Sequence, residues 1–198
     1  MWPYWLLFFA VALAALGSRQ QMAALVDARA TPVITPGGIL LLIMLTLMIG
    51  LRFQVGGDWA AYKSYLAQAE MMTVFEALQM SDPGYWLVNV LATSTGWQIA
   101  GVNLICGFIF ALGLVLFAQT LPRPWLAILI AVPYLVIVVG MGYSRQSVAL
   151  GFILMGMAAF ARHRPIMYIG LCIAGALFHM TSIIMIPIVA LVYTRNRI

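Results

Sequence analysis

Residues 98–118 read QIAGVNLICGFIFALGLVLFA, a stretch without a charged side chain. A helix needs about 20 apolar residues to cross the hydrocarbon core of a bilayer, so this stretch is long enough to cross. Shorter apolar runs accompany it at 2–17, 37–51, 124–141, 147–161, 165–178 and 182–193. The pattern predicts an all-α, polytopic integral membrane bundle of about seven short helices, forming a single membrane domain over 1–198.

The composition excludes an ordinary soluble domain. Apolar residues make up 65% of the chain and charged residues only 8%, against about 25% charged residues in soluble proteins. The net charge of +5 does not indicate nucleic-acid binding, because most basic residues lie in short gaps between apolar runs, as orientation signals do. These residues are Arg19, Arg29, Arg123, Arg162, Arg164, Arg195 and Arg197.

The charge pattern also predicts an orientation. Residues 84–97 are less apolar than the runs, and we interpret them as an interfacial or re-entrant helix within an extracytoplasmic loop over 52–97. With this choice the seven basic residues face the cytoplasm, as the positive-inside bias requires. The N-terminus then lies outside, as the start of a retained first span. Residues 165–193 are expected to form two short helices that meet near His179 on the outer side.

The loop over 52–83 is the longest polar stretch and the first place to expect a site. Gly56 and Gly57 permit positive φ and a close backbone approach to a ligand. Asp58 has two interpretations: a carboxylate that binds sugar hydroxyls beside aromatic rings, or the N-cap of a helix that begins at Trp59. Trp59 and Tyr62 are candidate sugar-binding rings.

Charged and titratable groups at membrane depth are costly and usually mark a site. Arg145 lies in GMGYSRQ at 140–146, where glycines indicate a break between helices, and its planar guanidinium suits a phosphate. The alternative is an arginine that reaches toward lipid headgroups. Arg52 is expected at the same depth, which favours one anion shared by both arginines. His179 is either a hydrogen-bonded bundle residue or a partner of a diphosphate.

Motifs for other chemistries are absent from the sequence. It contains no Asp-x-Asp pair, no His-x-x-x-His and no Cys-x-x-Cys, so no metal site is predicted. It also lacks a Walker loop and a Gly-x-Ser-x-Gly elbow, and no cofactor is predicted.

Three segments together resemble the EpsG family of bacterial exopolysaccharide proteins, relatives of the Wzy O-antigen polymerases. They are Arg52 with Gly57-Asp58-Trp59 and Tyr62, then Arg145-Gln146 followed by Ala149, then Phe178-His179 with Thr181. Family members are usually longer, so the resemblance implies a shortened or partial member.

The resemblance implies a membrane glycosyltransferase similar to the GT-C class. It would join oligosaccharides carried on undecaprenyl diphosphate at the outer face of the bacterial inner membrane, in exopolysaccharide, capsule or biofilm synthesis. Its expected partners are the lipid-linked substrate, the bilayer, and assembly proteins such as a flippase or chain-length regulator.

The expected roles divide the candidate residues into two groups. The catalytic candidates are Asp58, Arg145 and His179, with Glu70, Glu76 and Asp82 left open as the base. The substrate-binding candidates are Arg52, Gly57, Trp59, Tyr62, Tyr143, Gln146 and Thr181.

Two other functions fit parts of the pattern. Broken helices with charges at mid-membrane also describe an ion-coupled transporter, although such a carrier should show symmetric halves and acidic residues inside its spans. A non-catalytic scaffold of a polysaccharide assembly complex is the third interpretation.

Overall fold

The structure is a computed structural model that describes residues 2–18 and 34–187. These residues form helices and connecting turns and contain no strand, which confirms the all-α prediction for this part of the chain. The helices are α1 (Trp2–Gly17), α2 (Pro36–Gly50), α3 (Trp59–Ala69), α4 (Val74–Gln79), α5 (Pro83–Ser94), α6 (Gln98–Ala118), α7 (Pro124–Ala131), α8 (Ser144–Ala161) and α9 (Pro165–Ala176). A π-helical segment, Val132–Gly140, continues α7, and a 3₁₀ helix, Met180–Met185, follows α9.

Helix α6 lies at the centre of the fold. It packs against α2 on one side and α8 on the other, α8 packs against α9, and α1 packs against α7. The helices α6 and α8 approach closely where Gly113 meets Gly151. The space there is too small for a side chain, since a Cβ atom at Gly151 would lie 2.6 Å from the backbone oxygen of Ile109. This contact fixes the position of α8, whose first turn carries Arg145.

Two described helices, α6 and α8, are long and apolar enough to cross a membrane by length and composition. The other apolar helices are shorter: α1, α2, α7 with its π-helical continuation, and α9. Many large apolar side chains point outward from these helices, including Leu16, Leu40, Ile130 and Ile166.

Several helix boundaries differ from the predicted runs. Helix α8 begins at Ser144, so Arg145 lies in its first turn rather than before it. The run at 165–178 is helical only to Ala176, and the predicted helix at 182–193 is represented by the 3₁₀ helix up to Met185. Residues 188–193, like Arg19, Arg29, Arg195 and Arg197, lie outside the described residues.

The predicted loop over 52–97 contains three helices. The expected interfacial helix at 84–97 is α5, Pro83–Ser94, which packs against α3, α4 and α6. Helix α4 begins with a capping box in which Thr73 and Glu76 hydrogen-bond each other's backbone N–H groups. The loop is therefore a folded part of the bundle and places its polar residues over one end of α6 and α8.

Candidate functional site

Arg52 joins three segments that are distant in sequence. Its Nη1 donates a hydrogen bond of 2.7 Å to the backbone oxygen of Gly140, at the end of the π-helical segment. Its Nη2 donates to the side-chain oxygens of Asn103 (3.1 Å) and Ser144. Ser144 also donates to the Asn103 oxygen at 3.1 Å. Arg52 thus satisfies a carbonyl that the helix end leaves free and fixes the start of α8.

The surroundings of Arg52 are buried. Only 7% of the residue is exposed, and burial lowers the pKa of its guanidinium, although an arginine remains charged. Its Nε and the Nδ2 of Asn103 have no hydrogen-bond partner within the described part of the chain. Both Nη atoms of Arg52 already donate to protein groups. That Arg52 shares an anion with Arg145 stays a prediction.

Arg145 occupies a more open position. Its Nη1 forms an ion pair with Asp82 at 3.2 Å, and the Arg145 side chain is 31% exposed. The guanidinium lies over the ring of Tyr65, 5.1 Å from the centroid, and 6.0 Å from that of Tyr85. Such cation–π contacts hold a guanidinium in place without using its N–H donors. Within the described residues the Arg145 guanidinium thus contacts two rings and one carboxylate. The choice between an anion and lipid headgroups as its further partner stays a prediction.

The segment before α3 approaches the same helix end. Gly56 has φ of +105°, and a Cβ atom there would lie 2.8 Å from the Gly142 backbone oxygen, so this position requires glycine. No atom lies within 4 Å of the position a Cβ atom would take at Gly57. Gly56 thus approaches another part of the chain closely, whereas the predicted approach of this backbone to a ligand stays a prediction.

Asp58 occupies the N-cap position of α3, as the sequence predicted, but its side chain does not cap the helix. It makes no capping hydrogen bond, because its backbone (φ −92°, ψ 10°) is not in the extended conformation that aims a cap at the helix. Its carboxylate influences Tyr62 instead. Burial and, secondarily, the Asp58 charge raise the pKa of Tyr62 to about 12, so this hydroxyl stays neutral at physiological pH.

His179 lies at the break between α9 and the 3₁₀ helix, as the sequence predicted. Its Nδ1 shares a hydrogen bond of 2.7 Å with the Thr181 hydroxyl. The backbone oxygen of Leu177 accepts a hydrogen bond of 2.8 Å from the N–H of Gly84, two residues after Asp82. The neighbouring Phe178 belongs to one apolar cluster with Tyr62, Tyr85 and Val148. The chain around His179 is thereby packed against the segment that supplies Asp82.

The remaining predicted residues lie at the edges of this arrangement. Tyr143, Gln146 and Thr181 are exposed. Trp59 lines a separate groove of about 340 Å³ together with Phe53, Gln54, Lys63 and Glu70. The structure thus brings Arg52, Tyr62 and Arg145 into one neighbourhood and places Trp59 beside it.

Sequence reasoning missed Asn103, Ser144 and Tyr85 and held Asp82 only as a possible base. Asn103 gave a usable signal, because a polar side chain inside the apolar run at 98–118 is expensive in a membrane and needs partners. Asp82 gave no such signal in the sequence, since only the fold brings it close to Arg145.

The other carboxylates of the loop are engaged elsewhere or open to solvent. Glu76 accepts hydrogen bonds from the backbone N–H and hydroxyl of Thr73, and these lower the pKa of Glu76. Glu70 is exposed after the end of α3. No group of three potential metal ligands occurs in residues 2–18 and 34–187.

Chemically, the arrangement offers a half-exposed guanidinium held by rings, a carboxylate beside it, and a histidine on an adjoining segment. It can bind a phosphate through charge-assisted hydrogen bonds.

Comparison with known proteins gives one match. The sequence model of the EpsG family matches residues 38–198, which include every candidate residue of the site. No curated protein and no solved structure matches the chain significantly.

Proposed function

This chain belongs to the EpsG family, and from that premise we propose that it is a polysaccharide polymerase of the glycosyltransferase type. It joins oligosaccharide units carried on undecaprenyl diphosphate, at the extracytoplasmic face of the bacterial inner membrane. A flippase and a chain-length regulator are its expected partners, and it requires no cofactor.

A polytopic membrane location is part of the proposal. It is supported by the apolar runs, by the length of α6 and α8, and by the apolar side chains that point outward from the shorter helices. Exposed apolar surface of this kind is unfavourable in water and favourable against lipid tails. The short helices suit a bundle that surrounds a wet cavity at one end.

One observation carries the proposal: Arg145 is charged, partly open to solvent, and held in place by Tyr65 and Tyr85. A positioned guanidinium stabilises negative charge that develops during a reaction far better than a mobile one. In a glycosyl transfer from a lipid diphosphate, this charge develops on the diphosphate as the glycosidic bond breaks.

The mechanism follows from these positions. The acceptor hydroxyl attacks the anomeric carbon, and the lipid diphosphate leaves with the bonding electrons while Arg145 binds it. The hydroxyl proton passes to a carboxylate, for which Asp58 is the candidate, since its side chain is not used as a cap. His179, with Thr181, contacts phosphate or sugar from the adjoining segment.

The proposed sugar-binding residues lie beside this centre. Trp59 and Tyr143 offer partly exposed rings, while Gly57 and Gln146 offer open backbone and an amide. Tyr62 is a buried residue of the site, and its hydroxyl is neutral. Arg52 acts through Ser144 and Gly140, fixing the first turn of α8 on which Arg145 stands.

The test is polymerisation by the purified chain in detergent, supplied with an undecaprenyl-diphosphate-linked repeat unit. We expect the unaltered chain to give a ladder of products. Arg145→Lys should reduce the rate of polymerisation about 100-fold, since losing one charge-directed donor costs roughly 2.7 kcal/mol of transition-state stabilisation. An ammonium cannot reproduce the planar fork of the guanidinium.

The matched control is Arg164→Lys, the same change at an exposed arginine before α9. It should leave the ladder unchanged. Near-normal polymer from Arg145→Lys at equal protein levels would count against the diphosphate role. Absence of any ladder from the unaltered chain would favour the scaffold interpretation.

A further inference from the structure

The ion pair between Arg145 and Asp82 lies at the boundary between the protein interior and solvent. Arg145 and Asp82 form the one ion pair found among residues 2–18 and 34–187, and both side chains keep contact with solvent, at 31% and 16% exposure. The pair is therefore neither sealed in the core nor fully hydrated. A charged ligand that approaches from solvent can reach it.

The backbone of Asp82 is in the left-handed region, with φ of 57° and ψ of 55°. This region is uncommon for residues other than glycine, and aspartate and asparagine adopt it more readily than most. Asp82 precedes α5 at the N-cap position, yet its side chain makes no capping hydrogen bond. An aspartate there ordinarily stabilises the helix start. In place of such a cap, the Asp82 carboxylate pairs with Arg145.

Arg145 has contacts other than the ion pair with Asp82. The rings of Tyr65 and Tyr85 hold the guanidinium, and Tyr85 is 1% exposed and therefore fixed. Within the described part of the chain, the Arg145 side chain makes one hydrogen bond, from Nη1 to Asp82. Among residues 2–18 and 34–187 its other N–H groups have no acceptor, and an anion can bind them.

We infer that Asp82 is an exchangeable counter-ion that occupies Arg145 until the diphosphate of the donor replaces it. The inference rests on the proposed function and names a positioning residue for that site. A carboxylate and a diphosphate beside one guanidinium repel each other, so each weakens the binding of the other. When transfer is complete, the return of Asp82 to Arg145 helps release the lipid diphosphate.

Glu70 and Glu76 do not fit this role. Glu76 is engaged in the capping box of α4, and Glu70 lies in the groove with Lys63 and Trp59. Glu76 nevertheless provides a matched control, because glutamine serves in a capping box as well as glutamate. Glu76→Gln removes the same charge as Asp82→Asn without touching Arg145.

The test is calorimetric titration of the full chain in detergent with inorganic pyrophosphate. Asp82→Asn should bind pyrophosphate about tenfold more tightly than the unaltered chain, since the competing charge is gone and asparagine accepts the left-handed backbone. Glu76→Gln should not change the affinity. Adding Arg145→Gln to Asp82→Asn should abolish the gain.

Equal or weaker binding by Asp82→Asn, or no binding by either protein, overturns the inference. Should Asp82→Asn fail to fold, Asp82→Ser makes the same charge change and is judged by the same criterion. The polymerisation ladder separates the two proposals. If Asp82→Asn binds pyrophosphate more tightly but the unaltered chain makes no polymer, the counter-ion exchange is supported and the polymerase function is not. If the unaltered chain makes polymer but Asp82→Asn does not bind pyrophosphate more tightly, only the counter-ion exchange is overturned.

Discussion

Two arginines at one end of the bundle have different environments and therefore different expected roles. Arg52 is buried and donates to Gly140, Asn103 and Ser144, whereas Arg145 is partly exposed and paired with Asp82. A buried arginine with several acceptors mainly holds structure together, and removing it leaves those acceptors unsatisfied. A half-open arginine held by aromatic rings is suited to a ligand.

This contrast predicts different outcomes for the same substitution. Arg52→Lys should lower the free energy of unfolding by roughly 1.5–3 kcal/mol, because one ammonium cannot reach acceptors on three segments. Arg145→Lys should leave the unfolding midpoint nearly unchanged while reducing polymer. Thermal unfolding of both variants in the same detergent measures the difference, and equal midpoints would contradict the structural role of Arg52.

At this scale the sequence predicted some residues well and others poorly. Arg52, Arg145 and His179 stood out because charged and titratable groups inside or beside apolar runs need a reason. Asp58 was placed correctly before α3, but its side chain does not cap the helix, because residue type alone does not fix φ and ψ. Asp82 could not be assigned to Arg145, since 63 residues separate the partners and only the packing of α5 brings them together.

Among the helices, the contact between α6 and α8 sets the geometry of the site. Asn103 stands on α6 and Ser144 and Arg145 stand on α8, so the distance between these helices determines whether Arg52 can bridge them. Gly113 and Gly151 allow the close approach. Any side chain there would separate the helices.

A larger residue at Gly113 should therefore destabilise the bundle. Gly113→Ala is expected to lower the free energy of unfolding by roughly 1–3 kcal/mol through overpacking. Gly170→Ala is the control, because no atom lies within 4 Å of the new Cβ in α9. That change should be neutral or stabilise by up to about 1 kcal/mol. Thermal unfolding compares them, and a neutral Gly113→Ala would contradict the described contact.

The helices themselves were largely predictable from apolar runs. The run at 98–118 coincides with α6 and the run at 2–17 with α1, because an uninterrupted apolar stretch leaves few other structures available. The start of α8 was placed too late, since Ser144, Arg145 and Gln146 are polar and hydrophobicity does not mark them as helical. The π-helical segment was not predicted; Pro133, which lacks an N–H donor, lies at its start.

Over the whole molecule, three sequence-distant segments meet near the first residues of α5 and α8. The segment from Arg52 to Asp58 contacts the end of the π-helical segment, Arg145 contacts Asp82, and Leu177 accepts a hydrogen bond from Gly84. The convergence follows from packing, and its functional meaning depends on which side of the membrane it faces. The charge pattern predicts the extracytoplasmic side.

Labelling of single cysteines in intact cells tests this arrangement most directly. In a background with Cys106→Ala and Cys172→Ala, which removes two buried thiols, the exposed positions are replaced singly as Gly57→Cys, Gln146→Cys and Thr181→Cys. Arg164→Cys reports the opposite side. An impermeant maleimide should label the first three from outside and Arg164→Cys only after permeabilisation. Labelling of Gly57→Cys, Gln146→Cys and Thr181→Cys from different sides would contradict a common extracytoplasmic site.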